Sequence, residues 1–302
     1  MTSRLKLSAV LSLFCLLLAI PVFSNSSQGQ GKRELCVAMC QIICLDGDRS
    51  GNFARIENAI REAKNAGADI VCFPETSLLG WVNPEAHRRA YPIPGKDSDH
   101  LCRMAAGYGI HMCIGLAEKE GNLLYDTVIL IDDTGDILLK HRKINILTKL
   151  MTPPYTAGKG VRTVETKFGR IGLLICADTF KQEILTQMRE KEPDFVLVPY
   201  GWAAEEDRWP EHGKELLKTV SQAALAIGAP VVGVDLVGEI THGPWTGMTY
   251  GGQSVAADAQ GKIIAIAKDR DRDVMIVRVR VAPDRLPYPA KPSNGSGRTQ
   301  WR

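Results

Sequence analysis

Short, wholly apolar runs, each broken sharply by a reactive or turn-forming residue, constrain this chain most. Ile171–Ile175 (IGLLI) stops at Cys176, and Asp69–Phe73 (DIVCF) stops at Pro74-Glu75. A strand without polar side chains must be covered on both faces. Further strands are expected at Glu34–Leu45, His111–Ala117, Leu123–Ile131, Ile137–Lys140, Val161–Lys167, Phe195–Pro199, Pro230–Asp235, Gln253–Asp258, Ile263–Ile266 and Val274–Val279. Helical spacing separates them. Phe53, Ile56, Ile60 and Ala63 run up to Gly67, and Leu101, Met104, Ala105 and Tyr108 follow Ser98 as an expected N-cap. Gln182–Lys191 and Glu211–Ile227 are the later helices, the second closed by Gly228. Turns at Glu120-Gly121-Asn122, Asp132–Gly135 and Ala259-Gln260-Gly261 add hairpins. The pattern predicts a layered α/β fold, helices outside and sheet inside. One domain spans residues 33–281, with no dividing linker and no repeat.

The ends read differently. Arg4 and Lys6 precede the apolar stretch Leu7–Ile20, which Pro21-Val22-Phe23-Ser24 closes. Residues 1–24 have the pattern of a secretory signal peptide, so export is expected; an uncleaved N-terminal anchor fits the same residues. No later stretch is long and apolar enough to cross a bilayer, and residues 282–302 form a polar tail. A net charge of +3, without basic stripes interleaved with aromatics, argues against nucleic acid. Of the 8 cysteines, Cys15 lies in the signal, and the remaining odd number leaves at least one thiol unpaired within an exported chain. Cys36, Cys40, Cys72 and Cys113 fall in strand-like runs that favour buried thiols. No cysteine or histidine spacing suits zinc, and no metal is expected.

Three reactive residues stand just past the ends of apolar strands: Glu75 in CFPETSLLGW, Lys143 in LLKHRKINIL and Cys176 in RIGLLICADTF. Open α/β sheets collect their sites where strands deliver residues to one edge. A thiol placed where the strand turns would be presented at the sheet's edge, and free backbone N–H groups there can face an anion. Acyl transfer through a thioester suits this trio. Glu75 would take the thiol proton, Lys143 and the N–H of Ala177 would hold the oxyanion, and Glu75 would later activate water. Each residue also has a structural reading: Cys176 as a packed core thiol, Glu75 as a turn cap, Lys143 as one of the charges in Lys140-His141-Arg142-Lys143. His141, likewise, reads equally as a neighbour of the trio or as a satisfied histidine.

PETSLLGW, HRKINIL and GRIGLLICADTF, in that order, resemble the three signature blocks of the nitrilase superfamily of carbon–nitrogen hydrolases. VLVPYGW (Val196–Trp202) and GGQSVAADAQGKII resemble its later strand-and-loop and hairpin. The resemblance implies a four-layer αββα sandwich that pairs into a homodimer or larger homo-oligomer. It implies catalytic Glu75, Lys143 and Cys176, with Tyr200 and Trp202 beside the substrate and no cofactor. The expected reaction is hydrolysis of a non-peptide carbon–nitrogen bond in a small amide, carbamoyl compound or nitrile. An acyltransferase using the same trio, or a scaffold that keeps only the fold, are the alternatives. The chain departs from the family in one place above all. The family's second glutamate, between the lysine and the cysteine, has no counterpart in residues 144–162, which contain neither Glu nor Asp. Phe180-Lys181-Gln182-Glu183 also stands where the family usually has Phe-Pro-Glu.

Overall fold

The computed structural model describes residues 33–281; the expected signal peptide and the polar tail lie outside the described residues. The first half builds one sheet from β1 (Arg33–Gln41), β2 (Ile70–Cys72), β3 (His111–Glu120), β4 (Leu123–Ile131) and β5 (Ile137–Arg142). Its helices are α1 (Arg49–Asn65), the single turn α2 (Ala86–Arg89) and α3 (Lys96–Tyr108). The second half supplies β6 (Thr163–Thr166), β7 (Gly169–Leu173), α4 (Gln182–Glu190), β8 (Phe195–Pro199), β9 (Ala203–Ala204) and α5 (Glu211–Ile227). It continues with β10 (Val231–Val234), β11 (Val237–Glu239), β12 (Thr249–Gly251), β13 (Val255–Ala257), β14 (Ile263–Ile266) and β15 (Asp273–Val281).

Two six-stranded sheets result, ordered β15-β1-β2-β3-β4-β5 and β14-β13-β10-β8-β7-β6. Each has three parallel strands at its centre, β1-β2-β3 and β7-β8-β10, flanked by antiparallel ones. Alternation along β1 shows why its apolar run is unbroken. Leu35, Val37 and Met39 join the core shared with the second sheet, while Ala38 and Cys40 join Ile56, Ile60 and Leu101 under α1 and α3. On the far side Leu216, Val220 and Ala223 of α5 belong to the core of the second sheet. Helices, sheet, sheet, helices is the αββα sandwich that the resemblance implied. Burying a side chain such as Ile56 or Ile60 contributes ~1.5–3 kcal/mol.

Differences from expectation are local. Strands trim or extend by a few residues: β1 ends at Gln41 and β7 at Leu173, whereas β3 runs on to Glu120 and β5 to Arg142. Ser98 is not the N-cap of α3. The helix begins earlier, behind Gly95, and Ser98 sits in its first turn, its Oγ accepting from the Gly95 N–H at 2.8 Å. A small sheet, β11-β12-β9, has no counterpart among the expected strands, because strands of two or three residues are too short to show periodicity.

Candidate active site

Glu75 lies just past β2, where the chain stays pinned to β3. Gly115 N–H donates to Pro74 O at 3.1 Å, and Ser77 N–H to Gly115 O at 2.9 Å. Gly115 is required there, because a Cβ on it would stand 2.6 Å from Glu75 Cα and 2.7 Å from Pro74 O. The Glu75 N–H reaches across to the second sheet, donating to Tyr200 O at 3.2 Å. Its carboxylate is fully buried. Oε1 accepts from Lys143 Nζ at 2.5 Å and from Trp81 Nε1 at 3.1 Å. Oε2 has no hydrogen-bond partner among the described residues.

Lys143 emerges directly from β5, and its N–H donates to Asp126 O on β4 at 2.8 Å. Its ammonium stands between two carboxylates, Glu75 and Asp126, the latter with Oδ2 at 3.3 Å. Burial works against the charged form, but Glu75, Cys176 and Asp126 outweigh it and hold the lysine pKa well above its usual value. Lys143 is therefore a fixed cation.

Cys176 opens a 3-10 turn, Cys176–Phe180, ahead of α4. Its φ of 38° and that of Thr76, 45°, lie in the left-handed region, a cost of ~1–3 kcal/mol each at non-glycine residues. The turn is stapled by Thr179 Oγ1, which donates to Cys176 O at 2.7 Å and bonds Tyr200 Oη at 3.1 Å. The thiol is not presented at an open edge: Cys176 is only 4% exposed, tucked near Gly201 and the two charged partners. Burial, then the Glu75 carboxylate, push its pKa well above the ordinary thiol range, while Lys143 and the Gly201 backbone pull the other way. The resting group is a thiol with a carboxylate and an ammonium near enough to shift it.

Asp178 joins the lysine strand to the cysteine turn. Its Oδ1 accepts from Ile144 N at 2.9 Å and Asn145 N at 2.8 Å; its Oδ2 accepts from Ile175 N at 3.1 Å and pairs with His141 Nε2 at 2.8 Å. Burial alone would raise its pKa, but His141 and the backbone donors hold it below the usual carboxylate range. His141 is thus the satisfied, buried partner of Asp178. Asn145 Nδ2 adds a bond to Ala177 O at 2.7 Å.

The remaining expected residues are placed as follows. Ala177 is buried within the turn. Tyr200 is fully buried. Trp202 stacks on His212, with ring centroids 5.3 Å apart; its backbone N–H donates to Asp235 Oδ1 and its indole N–H to His212 O. The cavity beside Lys143 has walls that include Trp81, Asp126, Leu150, Met151 and Tyr155; Glu75, Cys176, Ala177, Tyr200 and Trp202 are not among its lining residues. Glu165, the first acidic residue after the stretch 144–162, lies on β6 and pairs with Arg170. Asp126 escaped the sequence reading, as did Trp81. Asp126 sits mid-strand, where a polar residue ordinarily marks a solvent-facing position. Among the described residues no cluster of three or more His, Cys, Asp or Glu side chains is placed to hold a metal ion, and no helix is long and apolar enough to cross a membrane.

The chain is an αββα sandwich with a buried glutamate–lysine pair whose charges reach a buried cysteine at the start of a turn. The chain belongs to the carbon-nitrogen hydrolase family, whose sequence model matches residues 36–283. It is 27% identical over 264 residues to the N-carbamoylputrescine amidase of Arabidopsis thaliana, covering 82% of this chain and 87% of that one. It is 27% identical over 202 residues to a bifunctional nitrilase/nitrile hydratase of Nicotiana tabacum; that match takes in 59% of this chain and 58% of its relative. The crystal structure of an amidase from Nesterenkonia sp. superposes with a TM-score of 0.71 at 20% identity, over 82% of this chain and 90% of that one, and shares the fold.

Proposed function

We propose that this carbon-nitrogen hydrolase cleaves a small non-peptide amide through a thioester on Cys176. The observation that carries the reading is the buried Glu75–Lys143 contact at 2.5 Å, with its charges felt at Cys176. Glu75 takes the thiol proton through Oε2, the oxygen without a partner. Sulfur attacks the carbonyl carbon, and Lys143 with the Ala177 N–H stabilises the oxyanion. Collapse breaks the C–N bond, and the Glu75 proton leaves on the departing ammonia or amine. Water, deprotonated by Glu75, then attacks the thioester; the acid departs and the thiol regains its proton.

The named relatives include both nitrile-acting and amide-acting enzymes. The test is release of ammonia or amine from a panel of small amides, ureides and nitriles by the wild type and by Cys176→Ala. Release confined to the wild type supports the reading, and equal release by both proteins refutes it. Export and self-association into a homodimer belong to the same proposal. N-terminal sequencing of the mature protein and light scattering in solution test them.

A further inference from the structure

We propose that Asp126 and Glu75 hold one proton between them, resting on Asp126, and that Asp126 is thereby the positioning residue of the base. The shared proton stands on the geometry of the cluster; its consequence for catalysis rests on the hydrolase reading above and deepens it.

Asp126 enters the site from β4, tied to the residue it serves: its backbone carbonyl accepts the Lys143 N–H at 2.8 Å. Its side chain is 1% exposed, and Oδ2 stands 3.3 Å from the Lys143 ammonium. Neither of its oxygens accepts a well-formed hydrogen bond among the described residues. The Glu75 carboxylate, itself fully buried, is within hydrogen-bond reach. Ionised, Asp126 would set bare acceptor oxygens against a second buried anion, and two carboxylates that share a site do not both ionise. Lys143 faces both of them and balances a single negative charge. A proton on the pair removes the excess charge and supplies the donor that the contact between two acceptors lacks.

The neighbouring donors decide where that proton rests. Glu75 Oε1 accepts from Lys143 Nζ at 2.5 Å and from Trp81 Nε1 at 3.1 Å, whereas Asp126 has no comparable donor. Donors favour the charged form, so the negative charge settles on Glu75 and the proton on Asp126. Burial and the Glu75 charge act in the same direction, pushing the Asp126 pKa up. The Asp126 O–H is then a charge-assisted donor to Glu75. It keeps Glu75 ionised at neutral pH, ready to take the thiol proton. The other titratable groups that face the pair are Lys143, Cys176, Tyr155, Tyr200 and Asp235. The lysine stays cationic, and burial raises the pKa of the other four.

Infrared spectroscopy reads the proton without turnover. At neutral pH the wild type should show the C=O stretch of a protonated carboxylic acid that is lost in Glu75→Gln, because Asp126 then ionises against Lys143. Carboxyl ¹³C labelling of aspartate should move that band, and the same labelling of glutamate should leave it in place. Spectra of wild type and Glu75→Gln without this difference would overturn the shared proton. A band that moves with the glutamate label would overturn its place on Asp126. Kinetics test the positioning role. The acid limb of kcat/KM should move up by about one pH unit or more in Asp126→Leu, as the loss of a hydrogen bond to a charged group requires. It should return toward the wild type in Asp126→Asn, whose amide still donates. A limb unmoved in Asp126→Leu, or moved equally in both variants, would overturn the positioning role and leave the hydrolase reading standing. The band in a wild type that hydrolyses nothing would refute the hydrolase reading and uphold the shared proton.

Discussion

The sharing of one ammonium by two carboxylates makes an asymmetric prediction about stability. Lys143 Nζ lies 2.5 Å from Glu75 and 3.3 Å from Asp126. At an effective dielectric of about 20 the Glu75 distance corresponds to an attraction of about 7 kcal/mol, while burial and the Glu75 charge hold Asp126 in its neutral form. Most of that attraction is offset by the desolvation of the ions, so the intact cluster adds little net stability. Breaking it is another matter. Lys143→Met leaves the buried Glu75 charge without a cation and should cost ~3–5 kcal/mol. Glu75→Gln removes the charge that keeps Asp126 neutral, so Asp126 can ionise against the ammonium while the glutamine oxygen still accepts from Trp81, and the change should cost only ~1–2 kcal/mol. The expected gap is ~2 kcal/mol or more. Urea titrations followed by tryptophan fluorescence measure it by linear extrapolation. Adding Glu75→Gln to Lys143→Met should recover ~1–3 kcal/mol, because it removes the stranded charge. Equal losses in the two single variants, or no recovery in the double, would refute the shared-cation account.

Other consequences follow from the same coordinates. Asp178→Asn puts an amide N–H2 against donors that now bind the carboxylate (Ile144, Asn145, Ile175, His141). It should cost ~3 kcal/mol or more and lower kcat more than it raises KM, read from denaturation and steady-state kinetics. Gly115→Ala drives a methyl group against the Glu75 backbone and should reduce kcat/KM at least ~10-fold, as 1 Å misplacements do, while the far-UV circular dichroism is retained. His111 is held neutral, its pKa lowered to about 4 by burial first. The unfolded chain binds that proton below ~6.5, so stability is complete above that pH and falls by up to ~3 kcal/mol as pH drops toward about 4. The wild-type-minus-His111→Asn difference in unfolding free energy, measured across this window, isolates the effect.

What the sequence discloses depends on how local its cause is. The strands that deliver Glu75 and Cys176 are legible because both their faces are buried, which leaves runs without polar residues, whereas β5, which delivers Lys143, is a half-buried edge strand legible through its apolar start and the turn before it. The helix α5 is legible through its spacing and its closing Gly228, with φ at 77°. Asp126 is illegible for the opposite reason. In LYDTVILI a strand partly buried on one face would carry an aspartate at that position outward, and only the neighbouring β5 turns it into the site. Asp178 stands in plain view two residues after Cys176, yet its role depends on partners on and after β5, more than 30 residues away in the chain. Tyr155 lies in a Pro-, Thr- and Gly-rich segment without period, where nothing local marks it as the wall of a pocket.

A thiol whose pKa is raised by burial looks ill suited to be a nucleophile, but the charge count of the pocket explains how it can serve. At rest, Lys143 is balanced by Glu75, and Cys176 is neutral. When the thiol proton passes to Glu75, the negative charge moves from oxygen to sulfur without leaving the neighbourhood of the same ammonium, so the buried site gains no net charge. Burial and the Glu75 charge hold Asp126 in its neutral form, so a group with the lowered pKa of an exposed reactive cysteine would sit as thiolate beside Glu75, two anions around one cation, in a place where each uncompensated charge is costly. The raised pKa is thus the resting condition that a carboxylate base requires. It predicts slow alkylation at neutral pH by reagents too bulky to enter the pocket, and faster alkylation by a small amide that brings its carbonyl to Lys143. If Glu75→Gln left that faster reaction unchanged, proton transfer to Glu75 would not be its source.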